Sequence, residues 1–232
     1  MLNHHPLTRW VIGYEAQRKR MLKKAPKGPL HDFLSVPFPL LSTPFTQIPI
    51  LAVDFETTGL DAVNDKLLSV GCVDLMHQQI KLASSYHQII NTKGSLKADN
   101  VTIHQITDDQ KDQGKPLAQV VEQLLKCMAG KVMLVHFATI ERQFLRQACL
   151  ELYGMAPPFP IIDTLVVAKR QLDKKDIAYD PSQLRLSALR ATYGFPEHYA
   201  HNALNDAIAT AELLLAQTSQ RDRNITLVDL IL

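Results

Sequence analysis

Asp54 and Glu56 stand two apart in the run Ile50-Leu51-Ala52-Val53-Asp54-Phe55-Glu56. The alternation of a strand points both carboxylates to one face and Leu51, Val53 and Phe55 to the other. Two like charges side by side on a half-buried strand cost free energy unless a proton or a cation neutralises one of them, and oxygen ligands of this kind suit Mg²⁺ or Mn²⁺. An isolated pair on a solvated strand face would need no such partner, so further acids decide the reading. Glu141 opens a predicted helix whose apolar stripe of Phe144, Leu145, Ala148 and Leu152 aims it toward the buried side. The helix dipole alone would also favour an acid in that first turn. Asp206 falls on a helix whose small residues Ala203, Ala207 and Ala211 permit close packing. His201, five residues earlier, sits at that helix's start, and an imidazole can take a proton from water at neutral pH.

The elements that must position these groups follow from pattern and punctuation. Strands are predicted at 50–56, 66–75 and 85–91, joined by turn-like segments and paired antiparallel. Helices are then expected at about 98–105 and 116–128, a strand at 132–135, a helix at 139–153, and a short strand at 160–162 running into a helix capped by Asp163. Helices at 185–193 and 202–217 complete an α/β domain with a mixed five-stranded sheet flanked by helices.

Residues 1–47 read as an arm and residues 48–232 as the compact domain. A short amphipathic helix is expected from Thr8 to about Lys24, followed by an extended connector with six prolines between Ala25 and Pro49. The arm holds seven Lys/Arg against Glu15 and Asp32, a net +5 in a chain of formal net charge +2, so the larger segment is mildly acidic. Two readings stay open: the arm tracks phosphates and stacks bases on Trp10 and Tyr14, or it packs those rings on the domain and leaves its charges solvated. Cys72, Cys127 and Cys149 are dispersed, with no CxxC pair, which fits a reduced, cytoplasmic setting. No stretch approaches the roughly 18 apolar residues of a membrane span, and no signal-peptide core follows the basic residues.

The run Leu51 to Leu60 with its Asp54-Phe55-Glu56-Thr57-Thr58-Gly59, the run His201 to Ala211, and Val135-His136-Phe137-Ala138-Thr139-Ile140-Glu141 together resemble the three motifs of the DEDDh 3′-to-5′ exonucleases, over about Ile50 to Gln217. The resemblance implies a ribonuclease H-like fold and two divalent cations, Mg²⁺ or Mn²⁺. Asp54, Glu56 and Asp206 would be the principal ligands, Glu141 would act through water, and His201 would be the general base. Thr57, Thr58, Leu60, His104, Gln105 and Ile106 would contact the terminal nucleotide. The implied partners are single-stranded or 3′-ended DNA or RNA, with a polymerase or accessory protein beside them and no membrane, and the product is a nucleoside 5′-monophosphate. Two departures stand out: Phe137 replaces the family's Asn, and Glu141 replaces its Asp. An oligoribonuclease-like enzyme, or a nucleic-acid-binding accessory subunit with weakened chemistry, are the alternatives.

Overall fold

The computed structural model describes residues 6–92, 104–219 and 224–232, with side chains from Gly13 onward. Its helices are α1 (Pro6–Leu22), α2 (Pro29–Ser35), α3 (Asp108–Asp112), α4 (Leu117–Met128), α5 (Thr139–Tyr153), α6 (Thr164–Lys174), α7 (Leu186–Thr192), α8 (Ala203–Ser219) and α9 (Leu227–Leu230). Its strands are β1 (Ile50–Thr57), β2 (Leu67–Met76), β3 (Gln79–Asn91), β4 (Lys115–Pro116), β5 (Val132–Val135) and β6 (Ile161–Asp163). They form one mixed sheet in the order β4-β3-β2-β1-β5-β6. β1 to β3 pair antiparallel, whereas β5 and β6 lie parallel to β1 through helical crossovers.

Three expectations change. The sheet has six strands instead of five, because the two-residue β4 pairs with Ile90 and Asn91, and a strand that short carries no alternation to read. β3 starts at Gln79 instead of about 85, because His77 and Gln78 both take positive φ (52° and 60°) and close a tight hairpin without the usual Gly or Asn. The connector is not extended throughout. Pro29 supplies the first turn of α2, and Leu30, Phe33 and Leu34, spaced i, i+3, i+4, bury against α4. Each such side chain contributes about 1.5–3 kcal/mol when removed from water, enough to fold a proline-rich segment onto the domain. The helix expected at 98–105 lies mostly outside the described residues.

Both faces of β1 are covered. Leu51, Val53 and Phe55 join the apolar layer formed with α2, α4 and α5, while Ile50 and Ala52 meet Ala207, Ala211 and Leu214 of α8. The second face continues along the strand as Asp54 and Glu56, so the helix that shields its apolar half also reaches its acidic half.

α8 comes close because of one residue. Gly71 of β2 lies directly opposite Asp54. A Cβ at that position would stand 2.1 Å from backbone atoms of Ala203 and Leu204. Glycine therefore lets the start of α8 rest on the sheet beside Asp54.

Candidate active site

β1 brings Asp54 and Glu56 to the end of the sheet, and the first turn of α8 brings Asp206. Each of the three offers a carboxylate oxygen within 4.8 Å of the others. Glu141, in the first turn of α5, adjoins this group and is 3% exposed. Burial, then the charges of Glu141, Asp206 and Glu56, push the Asp54 carboxyl well above the usual carboxylate range. Burial pushes Glu141 up to about 8; its own backbone N–H opposes this, and the charges of Asp163 and Glu56 add to it. Glu56 Oε1 and Glu141 Oε2 are buried without a hydrogen-bond partner. Carboxyl oxygens left bare in this way call for a proton or a cation.

Three histidines surround the acids. His104 Nδ1 meets Glu56 Oε2. His198 Nε2 lies 2.7 Å from Asp206 Oδ1, and the backbone N–H of His201 donates to Asp206 Oδ2 at 2.9 Å. His201 itself takes a left-handed conformation (φ 62°) with its side chain exposed, its ring centroid 6.4 Å from that of His104. Tyr199 donates its hydroxyl to Gln105 Oε1, and Asn205 Nδ2 donates to the Tyr199 carbonyl at 3.3 Å. The segment 198–201 is therefore tied to α8 on one side and to Gln105 on the other. His198 and Tyr199 were not singled out from sequence; the signal was a His-Tyr-Ala-His run in the loop before Asp206.

The remaining predicted contact residues differ in partners and exposure. Thr57 donates its hydroxyl to the Gly59 carbonyl at 2.7 Å, and Thr58 donates to Asp65 Oδ1 at 3.0 Å, so both fix the turn after β1. Leu60 is 75% exposed, whereas Ile106 is buried. Gln105 is left-handed (φ 55°).

Asp163 caps α6 as expected, accepting from Leu165 N–H at 2.9 Å, and it does more. It also accepts the N–H groups of Phe137 (3.1 Å) and Ala138 (2.8 Å). That grip holds Phe137 at φ 69° and fixes where α5 begins, and hence where Glu141 stands.

The exonuclease family model, RNase_T, matches residues 51–214, a stretch that carries all four acids and His201. The chain belongs to the exonuclease family. The chain is 28% identical over 171 residues to a protein named DNA polymerase III PolC-type from Thermotoga petrophila, covering 74% of this chain and only 12% of that one. It is 28% identical over 167 residues to the DNA polymerase III subunit epsilon of Treponema pallidum, covering 72% of this chain and 74% of that one. Among solved structures it superposes on the nuclease domain of 3′hExo, a DEDDh family member bound to rAMP, with a TM-score of 0.64 at 18% identity, covering 76% of this chain and 94% of the other. The six-stranded mixed sheet flanked by helices is thus the ribonuclease H-like fold of the DEDDh exonucleases. The family is one of metal-dependent hydrolases, and the group Asp54, Glu56 and Asp206 could hold a metal ion. No helix among the described residues is long and apolar enough to cross a membrane.

Proposed function

We propose that the chain is a 3′-to-5′ exonuclease that uses two divalent cations, Mg²⁺ or Mn²⁺, and favours DNA, releasing nucleoside 5′-monophosphates. The observation that carries this reading is the convergence of Asp54, Glu56 and Asp206 within 4.8 Å, with bare buried oxygens on Glu56 and on neighbouring Glu141. Hard divalent ions fit that all-oxygen donor set. Asp54, Glu56 and Asp206 would hold the ions, and Glu141 would contribute through water. When bound, such ions would supply positive charge that favours attack on the phosphodiester and departure of its leaving oxygen.

The chain's own groups do the rest. His201, exposed over the acids, accepts a proton from the attacking water as its oxygen bonds to phosphorus. The bond from phosphorus to the 3′-oxygen breaks, that oxygen takes a proton from solvent, and the terminal nucleotide leaves as a 5′-monophosphate. Thr57, Thr58 and Leu60, on the turn after β1, and His104, Gln105 and Ile106 line the rim where that nucleotide lies. The names of the relatives, a polymerase and a polymerase subunit, support DNA as the favoured substrate and a polymerase or accessory protein as partner. Free thiols at Cys72, Cys127 and Cys149 suit a cytoplasmic setting.

The test is digestion of matched DNA and RNA oligonucleotides, dinucleotide and longer, with Mg²⁺ or Mn²⁺. Deoxynucleoside 5′-monophosphates should accumulate fastest, and a chelator should stop the reaction. No mononucleotide from any substrate, or Asp54→Ala matching the wild type, would overturn the reading.

A further inference from the structure

The four acids repel the polyanion whose end they must hold, so the strand leaving the site needs a compensating surface. One lies along α5. Arg142 follows Glu141 directly, and Arg146 stands one turn further on the same face, about 6 Å along the axis. Both are exposed, and neither joins an ion pair with a carboxylate among the described residues. They form one wall of a groove of about 250 Å³ whose opposite wall is α1, through Tyr14 and Gln17, and whose floor includes Pro157 and Phe159.

α1 lies outside the stretch matched to the family, so this groove is particular to a chain that carries the arm. Tyr14 is the hinge pin of the arrangement. Its ring packs against both apolar layers, burial raises its phenol, and the charge of Arg142 acts on it from across the groove. Arg18 is buried and ties α1 to the Leu34 carbonyl, while Glu15 of the same helix pairs with its guanidinium. With these two residues anchoring the helix, Gln17 and Arg20, spaced i, i+3, are presented together beside the groove, and Arg20, Lys23 and Lys24 remain exposed.

From these placements we infer that the groove between α1 and α5 is a track for the single-stranded nucleic acid upstream of the terminal nucleotide, with Arg142 and Arg146 on successive phosphates. The inference rests on the exonuclease reading and adds to it a preference for strands longer than a dinucleotide. Charge complementarity and continuity favour this occupant over an acidic peptide. The first cation of the groove, Arg142, shares the opening turn of α5 with Glu141, so the groove starts within a turn of the acidic group.

Binding of a fluorescent single-stranded 20-mer, read by anisotropy in the presence of a chelator, tests the groove without requiring turnover. Arg142→Ala/Arg146→Ala should raise Kd at least tenfold, and should flatten the dependence of log K on log salt by roughly 1.4, at about 0.7 per phosphate neutralised on a single strand. Gln17→Glu/Arg20→Glu, altering the opposite wall at exposed positions, should also weaken the 20-mer, with thermal melts showing both variants folded. A wild-type Kd and salt slope in the arginine pair would overturn the track. So would unchanged 20-mer binding alongside lost binding of a polyglutamate peptide, which would make the groove a peptide site. Failure of the exonuclease reading would register separately, as no mononucleotide released by the wild type with Mn²⁺.

Discussion

Asp163 and Glu141 are buried to nearly the same degree, 4% and 3% exposed, and lie close enough for the charge of one to act on the other. Their surroundings are opposite. Asp163 accepts three backbone N–H groups and needs nothing more, so it is a strut that joins β6, α6 and the start of α5. Glu141 Oε2 and Glu56 Oε1 meet no donor, and Asp54 is pushed toward its protonated form by burial and by its neighbours. Burial alone does not tell a structural acid from a functional one; the supply of donors does.

The contrast breaks most visibly at Asp54. Asp54→Ala should lower kcat by about 10³-fold or more, roughly 4 kcal/mol of barrier, while metal-free stability holds or rises because a repelled carboxylate is gone. Mononucleotide release and urea melts on the same preparation check both halves. Asp163→Ala should do the reverse in emphasis. Losing the α6 cap and the grip on Phe137 and Ala138 should cost about 3 kcal/mol of stability, read in urea melts, with no rescue by Mn²⁺. Full rescue by Mn²⁺ would place Asp163 among the ion-holding acids.

A smaller effect should come from Gly71, which belongs to neither class. Gly71→Ala forces a methyl group into the backbone of Ala203 and Leu204 and must move the start of α8, at a cost of about 1–3 kcal/mol. Because Asp206 and the loop carrying His201 ride on that start, metal affinity should fall with stability. Unchanged Mn²⁺ titration in a destabilised variant would separate the packing of α8 from the placement of Asp206.

How much of this the sequence disclosed depends on how local each signal is. Asp54 and Glu56 were legible because strand alternation and charge cost act within three residues. The place of Asp206 on its helix and of His201 just before it followed from spacing, whereas their assignment to the candidate site came from the resemblance. The sheet's central strands and their pairing followed from apolar runs and short connections. What escaped depended on contacts between distant segments: α2 folds because α4 offers it a surface, β4 exists through Ile90 and Asn91, and the turn at His77 and Gln78 is held by the strands on either side. His198 is of the same kind. Its ring reaches Asp206 only after the loop has folded back on α8, which no periodicity announces.

Glu141 gives the finest test of the contrast with Asp163. Burial pushes its carboxyl up to about 8 in the folded chain, from an ordinary value of 4.5. Between those values the folded state binds the proton and the unfolded state does not. Its contribution to metal-free stability is therefore fully present below about pH 4.5 and is lost as pH rises through 8. Urea melts at pH 5 and 8.5 should show a steeper decline for the wild type than for Glu141→Gln, and saturating Mn²⁺ should flatten the wild-type profile. Parallel profiles for the two proteins would mean that Glu141 carries no such proton. Replacing the same residue by the shorter acid asks whether its reach matters. Two-metal sites hold their ions only about 3.5–4 Å apart, and a carboxylate one methylene shorter still fits that spacing through water. Glu141→Asp should therefore keep or raise mononucleotide release with Mg²⁺. A loss beyond about tenfold, roughly 1.4 kcal/mol, would show that α5, fixed through Asp163, is set back for the longer side chain.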